Sequence, residues 1–460
     1  MCGADPGALR RGAVDSPAMP DAPISRSSRI EIGALGGHAR SEVTVCGFVD
    51  TIRRHRSVVF VVVRDETGAV QVVANPDPAE PFAQALNDLS VGSAITVRGA
   101  LVDNEVVKLG GLEIQASSLV VESLSEAQWP ITEETSLDKR LDWRFLDLRK
   151  PENLLIFRTQ TVIEHAFREL WAEDGFVEIH SPKLMASASE TGSELFRLEY
   201  FDGYAYLAQS PQFYKQMAMA AGFGKVFEIG PVFRANPSFT SRHDTEFTSV
   251  DVEISWIDSH ENVMAHEERM LHAALTAVKD RYGALIEELF GVNIQVPVLP
   301  FPRVTHEQAH EIVEASGYRV PRADGDLDPE AERRLCAHIA REHGHEFVFV
   351  TDYPAALRPF YHMRHDDNPG LTKSYDLLWK GLEITTGAQR EHRHAVLRAQ
   401  ALEKGMSEDE ISYYLDFFRF GCPPHGGFGL GLTRILMILL ARANVREVTY
   451  LYRGPNRLMP

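Results

Sequence analysis

The stretch GPVFRANPSFTSRHDTEFTSVDVEISWI, residues 230–257, decides the fold expected for the larger part of this chain. It indicates two strands, 226–234 and 246–256, joined by a loop of about a dozen residues. Alternating apolar positions across 250–254 support the second strand. The first strand ends at Arg234, and the planar arginine fork binds phosphate oxygens through paired hydrogen bonds. The stretch therefore fits a phosphate-binding hairpin, or equally an ordinary hairpin with exposed ion pairs.

Length and composition set the limits around this hairpin. A chain of 460 residues, 44% hydrophobic and 24% charged, predicts a globular protein of two or three domains. No apolar run is long enough to span a membrane, and the start lacks a secretory signal, so we expect a cytoplasmic protein. The four cysteines show no paired spacing, which argues against disulfides and a zinc site. The net charge of −18 argues against indiscriminate nucleic-acid binding but leaves a local basic face open.

The amino-terminal part predicts a small all-β domain over residues 29–123, preceded by a disordered extension, 1–28. Five strands with one inserted helix indicate an OB-type barrel, a fold that binds single-stranded nucleic acid. Phe60 and Gln71 lie in neighbouring strands and would offer stacking and a base-edge hydrogen bond. The alternative is that Phe60 belongs to the core and Gln71 is an exposed strand residue. The expected strands are 42–51, 57–64, 69–74, 93–100 and 112–121, and the expected helix is 81–89.

The middle of the chain predicts a hinge, 124–150, and then a long amphipathic helix, 151–174. A strand over 175–182 follows and ends at a proline, so this unit fits either core or a dimer interface. Glu190 lies in a polar loop, and Gln212 and Lys215 lie near the start of a helix. Further helices are expected at 261–289 and in an insertion of about 300–345, with a buried strand at 347–350.

Two further stretches carry candidate chemistry. Residues 374–390 indicate one strand with Asp376 and Glu383, then a glycine turn with Arg390. An acidic pair of this kind fits Mg²⁺, although surface carboxylates are the commoner explanation. Residues 423–434 form a glycine-rich turn before an apolar helix that Arg434 opens, without the Gly-Lys-Ser/Thr of a Walker loop.

Taken together, these stretches resemble the class II aminoacyl-tRNA synthetases, and within them the aspartyl enzymes of the archaeal/eukaryotic type. The resemblance covers roughly residues 30–460. Residues 151–182 resemble motif 1, FRANPSFTSRHDTEFT resembles motif 2, and GFGLGLTR resembles motif 3. It implies an α+β protein, with the OB barrel followed by a catalytic domain built on an antiparallel sheet flanked by helices.

The resemblance also implies roles in ATP binding and catalysis. Arg234 would bind the ATP α-phosphate, Arg434 the γ-phosphate, and Phe247 would stack on adenine. Glu383 is expected to act with both arginines and, with Asp376 and Thr386, to hold Mg²⁺. The remaining residues expected around ATP are Asn236, Arg242, His243, Asp244, Gly431, Leu432 and Thr433.

For the amino acid, the resemblance implies that Lys215 and Arg390 face the side-chain carboxylate of aspartate and that Asp251 orients them. Two cations against one carboxylate would reject asparagine, which would leave buried positive charge unpaired. The other residues expected around the amino acid are Glu190, Gln212, Arg234 and Thr386. Phe60 and Gln71 match the family's anticodon-reading pair.

The expected reaction is aspartate–tRNA ligation with ATP, L-aspartate and tRNA(Asp) as substrates, extended in one form to tRNA(Asn), by a homodimer. Two alternatives stay open: an enzyme that activates aspartate for an acceptor other than tRNA, and a non-catalytic RNA-binding paralogue. The chain departs from the family pattern by lacking a carboxylate at Asn236 and Thr433. It also carries Thr191 for glycine, Thr386 for serine and Gly454 for aspartate.

Overall fold

The protein divides into two compact units, residues 1–132 and 133–460, in a computed structural model. The structure describes residues 25–38, 40–80, 82–186, 195–237, 240–321 and 325–460. Most of the predicted extension, 1–24, lies outside these ranges. Its last residues include a 3-10 turn, Arg26–Ser28, and Arg26 pairs with Glu122 of the first unit at 2.5 Å.

The first unit is a closed five-stranded barrel, which confirms the predicted OB-type fold. Its strand order is β1-β2-β3-β5-β4, with β3 and β5 parallel and the other pairs antiparallel. Apolar side chains alternate along the strands, so that Val59, Val61 and Val63 all point into one buried core. The elements are β1 Glu42–Arg54, β2 Val59–Arg64, β3 Ala69–Ala74, α1 Ala83–Asp88, β4 Ala94–Asp103 and β5 Leu112–Ser123.

Most of the predicted hinge belongs to the second unit. Residues 133–150 include helices α2, Leu137–Asp142, and α3, Arg144–Asp147. Arg144 is buried, pairs with Asp147 at 2.7 Å, and donates to the backbone carbonyls of Glu447, Thr449 and Tyr450. The hydrogen bonds of this buried arginine attach the segment to the second unit. The run of alternating charges in the sequence did not indicate that one of them would be buried.

The second unit is built on an eight-stranded sheet of order β12-β13-β14-β15-β16-β11-β10-β6. It is antiparallel except for the pairs β12/β13 and β6/β10, so the sheet is mixed rather than purely antiparallel. A separate three-stranded sheet has the order β7-β9-β8. The strands are β6 Val177–Glu178, β7 Leu184–Met185, β8 Arg197–Tyr200, β9 Gly203–Leu207, β10 Lys225–Phe233, β11 Glu246–Ser255, β12 Arg303–Thr305, β13 Phe347–Thr351, β14 Ser374–Trp379, β15 Leu382–Arg390 and β16 His425–Gly431.

Two long helices, α4 and α6, pack together and share a core with the large sheet. Proline opens α4, while Ser259 caps α6 and Gly291 ends it in the left-handed conformation. Trp171 of α4 lies 4.3 Å from the Phe227 ring of β10, measured between ring centroids. The helices are α4 Pro151–Glu173, α5 Gln212–Ala220, α6 His260–Phe290, α7 His306–Ala315, α8 Pro329–His343, α9 His394–Glu403, α10 Glu408–Arg419, α11 Leu432–Leu439 and α12 Val445–Val448.

The prediction of a single strand over 374–390 is wrong. The stretch forms two antiparallel strands, β14 and β15, joined at Lys380 and Gly381, whose φ angles are 50° and 83°. Two successive residues with positive φ make the tight hairpin turn, so Asp376 and Glu383 lie on different strands. The glycine assigned to a turn, Gly387, lies within β15, where a Cβ would collide with the Tyr375 ring.

The prediction of a glycine-rich turn over 423–434 is also wrong, because most of this stretch forms strand β16 in the middle of the sheet. Gly427 faces Glu253 of β11 and Ala388 of β15 across the sheet, and Gly429 faces Asp251 and Thr386. A side chain at Gly427 would strike the Val252 carbonyl and the Glu253 carboxylate. The glycines therefore clear space over this part of the sheet.

Candidate active site

An open cavity of about 350 Å³ lies on the face of the large sheet formed by β10, β11, β15 and β16. Most of the residues that the sequence predicts for ATP and aspartate binding lie together there, although they are far apart in the chain. Those that line it are Gln212, Arg234, Asn236, Arg242, His243, Asp244, Phe247, Asp251, Glu383, Thr386, Arg390, Gly431, Thr433 and Arg434.

Three residues predicted for this site occupy other positions, and a fourth lies outside the described residues. Lys215 is buried beneath the cavity, and Leu432 is buried at the start of α11. Asp376 lies in a smaller neighbouring cavity, and Glu190 lies outside the described residues. Thr191, one of the departures from the family pattern, lies outside them too.

One end of the cavity presents cationic side chains suited to phosphates. Arg234 follows β10, and its guanidinium carbon lies 5.8 Å from the centre of the Phe247 ring. Arg434, in the first turn of α11, donates from Nη1 to the backbone oxygen of Glu383 at 2.8 Å and lies 3.4 Å from its Oε1. The Thr386 hydroxyl also lies 3.4 Å from that carboxylate oxygen. These contacts orient Arg434 and Glu383 as one group.

Asp376 and Glu383 both border a cavity of about 80 Å³. Arg358 pairs with Asp376 Oδ2 at 2.6 Å, whereas Asp376 Oδ1 is buried without a partner among the described residues. Partial burial raises the pKa of Glu383, and the neighbouring carboxylate of Asp376 raises it further. An unsatisfied carboxylate oxygen beside a second carboxylate fits a hard cation such as Mg²⁺, which prefers oxygen ligands.

At the opposite end, Lys215 and Asp251 form a buried ion pair. Lys215 Nζ lies 3.0 Å from Asp251 Oδ1, 2.9 Å from the Phe428 carbonyl oxygen and 3.4 Å from that of Val252. The Ser249 hydroxyl donates to Asp251 Oδ2 at 2.6 Å. All three ammonium protons of Lys215 therefore have protein acceptors, and it is Asp251 that reaches the cavity wall.

Arg390 and Glu253 form a second buried pair beside the first. Arg390 Nε donates to Glu253 Oε1 at 3.1 Å, and Nη2 donates to the Gly427 carbonyl oxygen at 2.8 Å. Arg390 Nη1 donates to His362 Nε2 at 3.0 Å. Glu253 also lies 3.5 Å from Lys215. The expectation of two cations facing one substrate carboxylate therefore needs refinement, because each cation already has a protein carboxylate as its partner.

The loop between β10 and β11 has its own contacts around the phosphate end. Arg242 Nη1 lies 3.5 Å from Glu332 of α8, in the predicted insertion. Asp244 is 7% exposed and accepts a hydrogen bond from Thr449 at 3.1 Å. Burial raises the pKa of Asp244 to about 7 and that of Glu332 to about 7. Both carboxylates therefore carry less negative charge near neutral pH than exposed ones would.

Sequence reasoning gave no role to several residues at this site. Arg358 and His362 line the cavity from the irregular segment after β13, where no periodic pattern marks a functional side chain. Glu253 was visible on the second hairpin strand, but nothing in the sequence paired it with Arg390. Glu332 lies on a helix of the insertion that contacts the site only in three dimensions.

The anticodon-reading candidates lie together in the barrel. Phe60 points away from the Val59, Val61 and Val63 face of β2, which argues against the core alternative. Gln71, on β3, is buried rather than exposed. Its amide nitrogen donates to Glu113 at 3.1 Å, and its oxygen accepts from Arg53 at 3.3 Å. Its amide orientation is therefore fixed.

Comparison with known families matches both units. Residues 136–453 match the tRNA synthetases of class II (D, K and N), and residues 43–122 match an OB-fold nucleic acid binding domain. No described helix is long and apolar enough to cross a membrane.

Similar proteins of defined activity cover nearly the whole chain. An aspartate–tRNA(Asp/Asn) ligase of Aeropyrum pernix is 40% identical over 93% of this chain and 96% of its own length. An aspartate–tRNA(Asp) ligase of Pyrococcus abyssi is 40% identical over 91% of this chain and 96% of its own length.

Solved structures of two related kinds share the fold. The asparaginyl-tRNA synthetase of Pyrococcus horikoshii, complexed with asparaginyl-adenylate, is 31% identical with a TM-score of 0.87, over 94% of this chain and 99% of that chain. The aspartyl-tRNA synthetase of Entamoeba histolytica is 32% identical with a TM-score of 0.85, over 95% and 96%.

Proposed function

The chain belongs to the class II aminoacyl-tRNA synthetases of the D, K and N group, and from that membership we propose how its site performs aspartate–tRNA ligation. It is an aspartate–tRNA ligase. It joins L-aspartate to ATP, giving aspartyl-adenylate and pyrophosphate, and then passes the aspartyl group to the 3′ end of tRNA. The observation that carries the assignment of residues is one cavity with Arg234 and Arg434 at one end and Asp251 and Arg390 at the other. Asp251 and Arg390 are paired behind the cavity wall with Lys215 and Glu253.

In the first step, an oxygen of the aspartate α-carboxylate attacks the ATP α-phosphorus and the bond to pyrophosphate breaks. Arg234 stabilises the charge that spreads over the α-phosphate, and Arg434 holds the leaving phosphates. Phe247 offers an aromatic face to adenine next to Arg234. The residues act by positioning and electrostatics, so no protein nucleophile is required.

In the second step, a hydroxyl of the tRNA terminal ribose attacks the carbonyl carbon of the adenylate and AMP leaves. Asp251 and Arg390 hold the aspartyl group during both steps, since both reach the cavity wall. Gln212 lines the same end at the start of α5, where its amide oxygen or nitrogen can meet the α-amino or α-carboxylate group.

We assign the Mg²⁺ ligands to Glu383 and Asp376. Bound Mg²⁺ supplies positive charge to the phosphate oxygens and the leaving pyrophosphate. Glu383 and Asp376 would hold the ion through carboxylate oxygens, the kind of ligand that Mg²⁺ prefers. Thr386 orients Glu383 through its hydroxyl.

The proposed partners are tRNA and a second copy of this chain. Phe60 and Gln71 read the anticodon of tRNA(Asp), and a second form of the proposal extends charging to tRNA(Asn), because relatives of both kinds match equally well. The enzyme forms a homodimer through α4 and the edge strand β6. The exposed side chain of Val177 in β6 supports this, as do the exposed side chains of Leu184 and Tyr204 in the separate three-stranded sheet. We propose a cytoplasmic location, where its substrates ATP, aspartate and tRNA are used in translation.

The test is aspartate-dependent ATP–pyrophosphate exchange, followed by charging of purified tRNA(Asp) and tRNA(Asn). Exchange and charging of tRNA(Asp) are expected. No exchange would favour the non-catalytic paralogue, and exchange without charging would favour an acceptor other than tRNA. Sedimentation analysis of the same preparation tests the dimer.

A further inference from the structure

His362 is a buried histidine at the end of the cavity that is lined by Asp251 and Arg390, which we call the aspartate end. It lies between β13 and β14, where the chain runs beside the end of β15 and Met363 N donates to the Gln389 carbonyl oxygen at 3.0 Å. Gln400 of α9 donates to the carbonyl oxygens of Phe360 at 2.6 Å and His362 at 3.1 Å. The ring is therefore fixed against the site by its own backbone.

The hydrogen bond from Arg390 determines which nitrogen of His362 carries the proton. An arginine side chain only donates, so His362 Nε2 must accept and the proton of the neutral ring lies on Nδ1. Burial, reinforced by the positive charges of Arg390, Arg358 and Lys215, lowers the pKa of His362 well below its ordinary value. The ring is therefore neutral at neutral pH.

This arrangement leaves two donors at the cavity end without protein partners. His362 is 2% exposed and lines the cavity, and its Nδ1 has no hydrogen-bond partner among the described residues. The guanidinium group of Arg390 has five protons, and four of them have protein acceptors. The Nε proton and one Nη2 proton are directed to Glu253, the other Nη2 proton to the Gly427 carbonyl oxygen, and one Nη1 proton to His362. One Nη1 proton therefore stays available within the described part of the chain.

We propose that His362 is a specificity-determining residue for the amino-acid side chain: it fixes Arg390 and donates its own Nδ1–H, so that the site offers two donors to a carboxylate. This inference rests on the proposed function, because it takes aspartate as the amino acid activated in this cavity.

Donor geometry, rather than net charge, then separates aspartate from asparagine. The charges of Lys215 and Arg390 are balanced by those of Asp251 and Glu253, so this end of the cavity has no excess positive charge. A carboxylate offers acceptor oxygens to both free donors. When the two donors address separate oxygens, a carboxamide has to turn its NH₂ group toward one of them and leaves a buried donor unpaired, which is a costly arrangement.

The test compares H362L, H362Q and the control H365L. Leucine removes both ring nitrogens at similar volume, whereas glutamine keeps one acceptor for Arg390 and one donor for the substrate. His365 lies on the same segment but pairs with Asp352 at 2.7 Å, away from the cavity. Exchange is measured with aspartate and with asparagine, and KM for aspartate and for ATP are determined separately.

For H362L we expect KM for aspartate to rise by about tenfold or more, and the aspartate-to-asparagine ratio of kcat/KM to fall similarly. KM for ATP should be unchanged, H362Q should recover most of the loss, and H365L should behave like the wild type. If H362L does not remain folded by thermal melting, H362M repeats the test with an unbranched side chain.

A purely structural role would lower kcat or the melting temperature without changing the aspartate-to-asparagine ratio, and that result would overturn the inference. An unchanged KM for aspartate in H362L would do the same, as would a failure of H362Q to recover the ratio. Absence of aspartate-dependent exchange in the wild type is a different result, because it contradicts the proposed function itself.

Discussion

At the scale of single residues, each buried cation at the aspartate end pairs with one buried carboxylate: Lys215 with Asp251, and Arg390 with Glu253. Lys215 is 2% exposed and Glu253 is fully buried, so the loss of either partner leaves an uncompensated buried charge. Breaking a buried ion pair costs about 3–5 kcal/mol, far more than a surface pair contributes. Single substitutions here should therefore affect substrate binding and folding together, and the two effects need separate measurements.

The variant K215L tests the Lys215–Asp251 pair. We expect it to abolish aspartate-dependent exchange, because Asp251 loses its cation and can no longer hold its position at the cavity wall. ATP binding should persist, since the phosphate end has separate arginines. The measurement is exchange activity together with the rise in melting temperature that saturating ATP produces.

The control for K215L is K380L, which changes a surface lysine paired with Glu346. It should leave exchange within about twofold of wild type, because surface ion pairs contribute little. Wild-type aspartate kinetics in K215L would show that the side-chain assignment is wrong.

The sequence could indicate that several residues of the cavity wall belong to one site, because they lie in contiguous motifs. Arg234, Arg242, Phe247 and Arg434 were all expected, and all line the cavity. The partners of the charged residues could not be predicted. Glu253 pairs with Arg390 across 137 residues of sequence, and only the register of β11, β16 and β15 brings them together.

At the scale of elements, β16 is a central strand that lacks side chains where its neighbours need room. Strand propensity argues against glycine in the middle of a sheet, which is why the sequence indicated a turn. The misassigned turn in 374–390 has a related cause. The turn was predicted at Gly387, whereas the actual turn lies at Lys380 and Gly381. By contrast, the barrel strands and the long helices followed simple periodicity and were predicted well.

The variant G427A tests this role of β16. Its new methyl group would collide with the Val252 carbonyl and the Glu253 carboxylate. We expect a loss of stability of about 1–3 kcal/mol and a higher KM for aspartate, because Glu253 can no longer hold Arg390 in place.

The control for G427A is G224A, where a Cβ would meet no atom within 4 Å. It should melt and bind aspartate like the wild type. A G427A enzyme with unchanged KM for aspartate would contradict the role given to the glycine strand.

Helix α6 carries a buried acid, Glu267, that makes stability depend on pH. Burial raises its pKa to about 8, and Tyr375 donates to its Oε2 at 2.9 Å. Between the unfolded pKa near 4.5 and about 8, the folded protein keeps the proton that the unfolded chain releases. Stability from this group therefore falls as pH rises through that window.

We expect E267Q to melt like the wild type at pH 4.5 and to be more stable at pH 8.5, by about 1–3 kcal/mol. Calorimetry of the larger unit's transition at both pH values measures this. E288Q, at an exposed position on the same helix, is the control for replacing a glutamate by glutamine and should melt like the wild type. A constant difference between E267Q and wild type at all pH values would contradict the assignment.

At the scale of the whole molecule, the proposed activation site and the proposed anticodon readers, Phe60 and Gln71, lie in different compact units. The variant F60A should therefore leave aspartate-dependent exchange unchanged. It should lower kcat/KM for tRNA charging by about tenfold or more, because one base–aromatic stack contributes about 1–3 kcal/mol. V106A, at a barrel position that is 87% exposed, is the control. Reduced exchange in F60A would show that the residue acts on folding rather than on tRNA.

The balanced set of Lys215, Asp251, Glu253 and Arg390 also predicts how the two substrates respond to ionic strength. Mobile ions screen exposed charges most strongly, and these four side chains are all buried. Aspartate affinity should therefore stay nearly constant as potassium chloride rises, whereas tRNA affinity should fall steeply because bound counterions are released from its phosphates. The enzyme would then lose its nucleic-acid substrate to added salt long before it loses its amino acid.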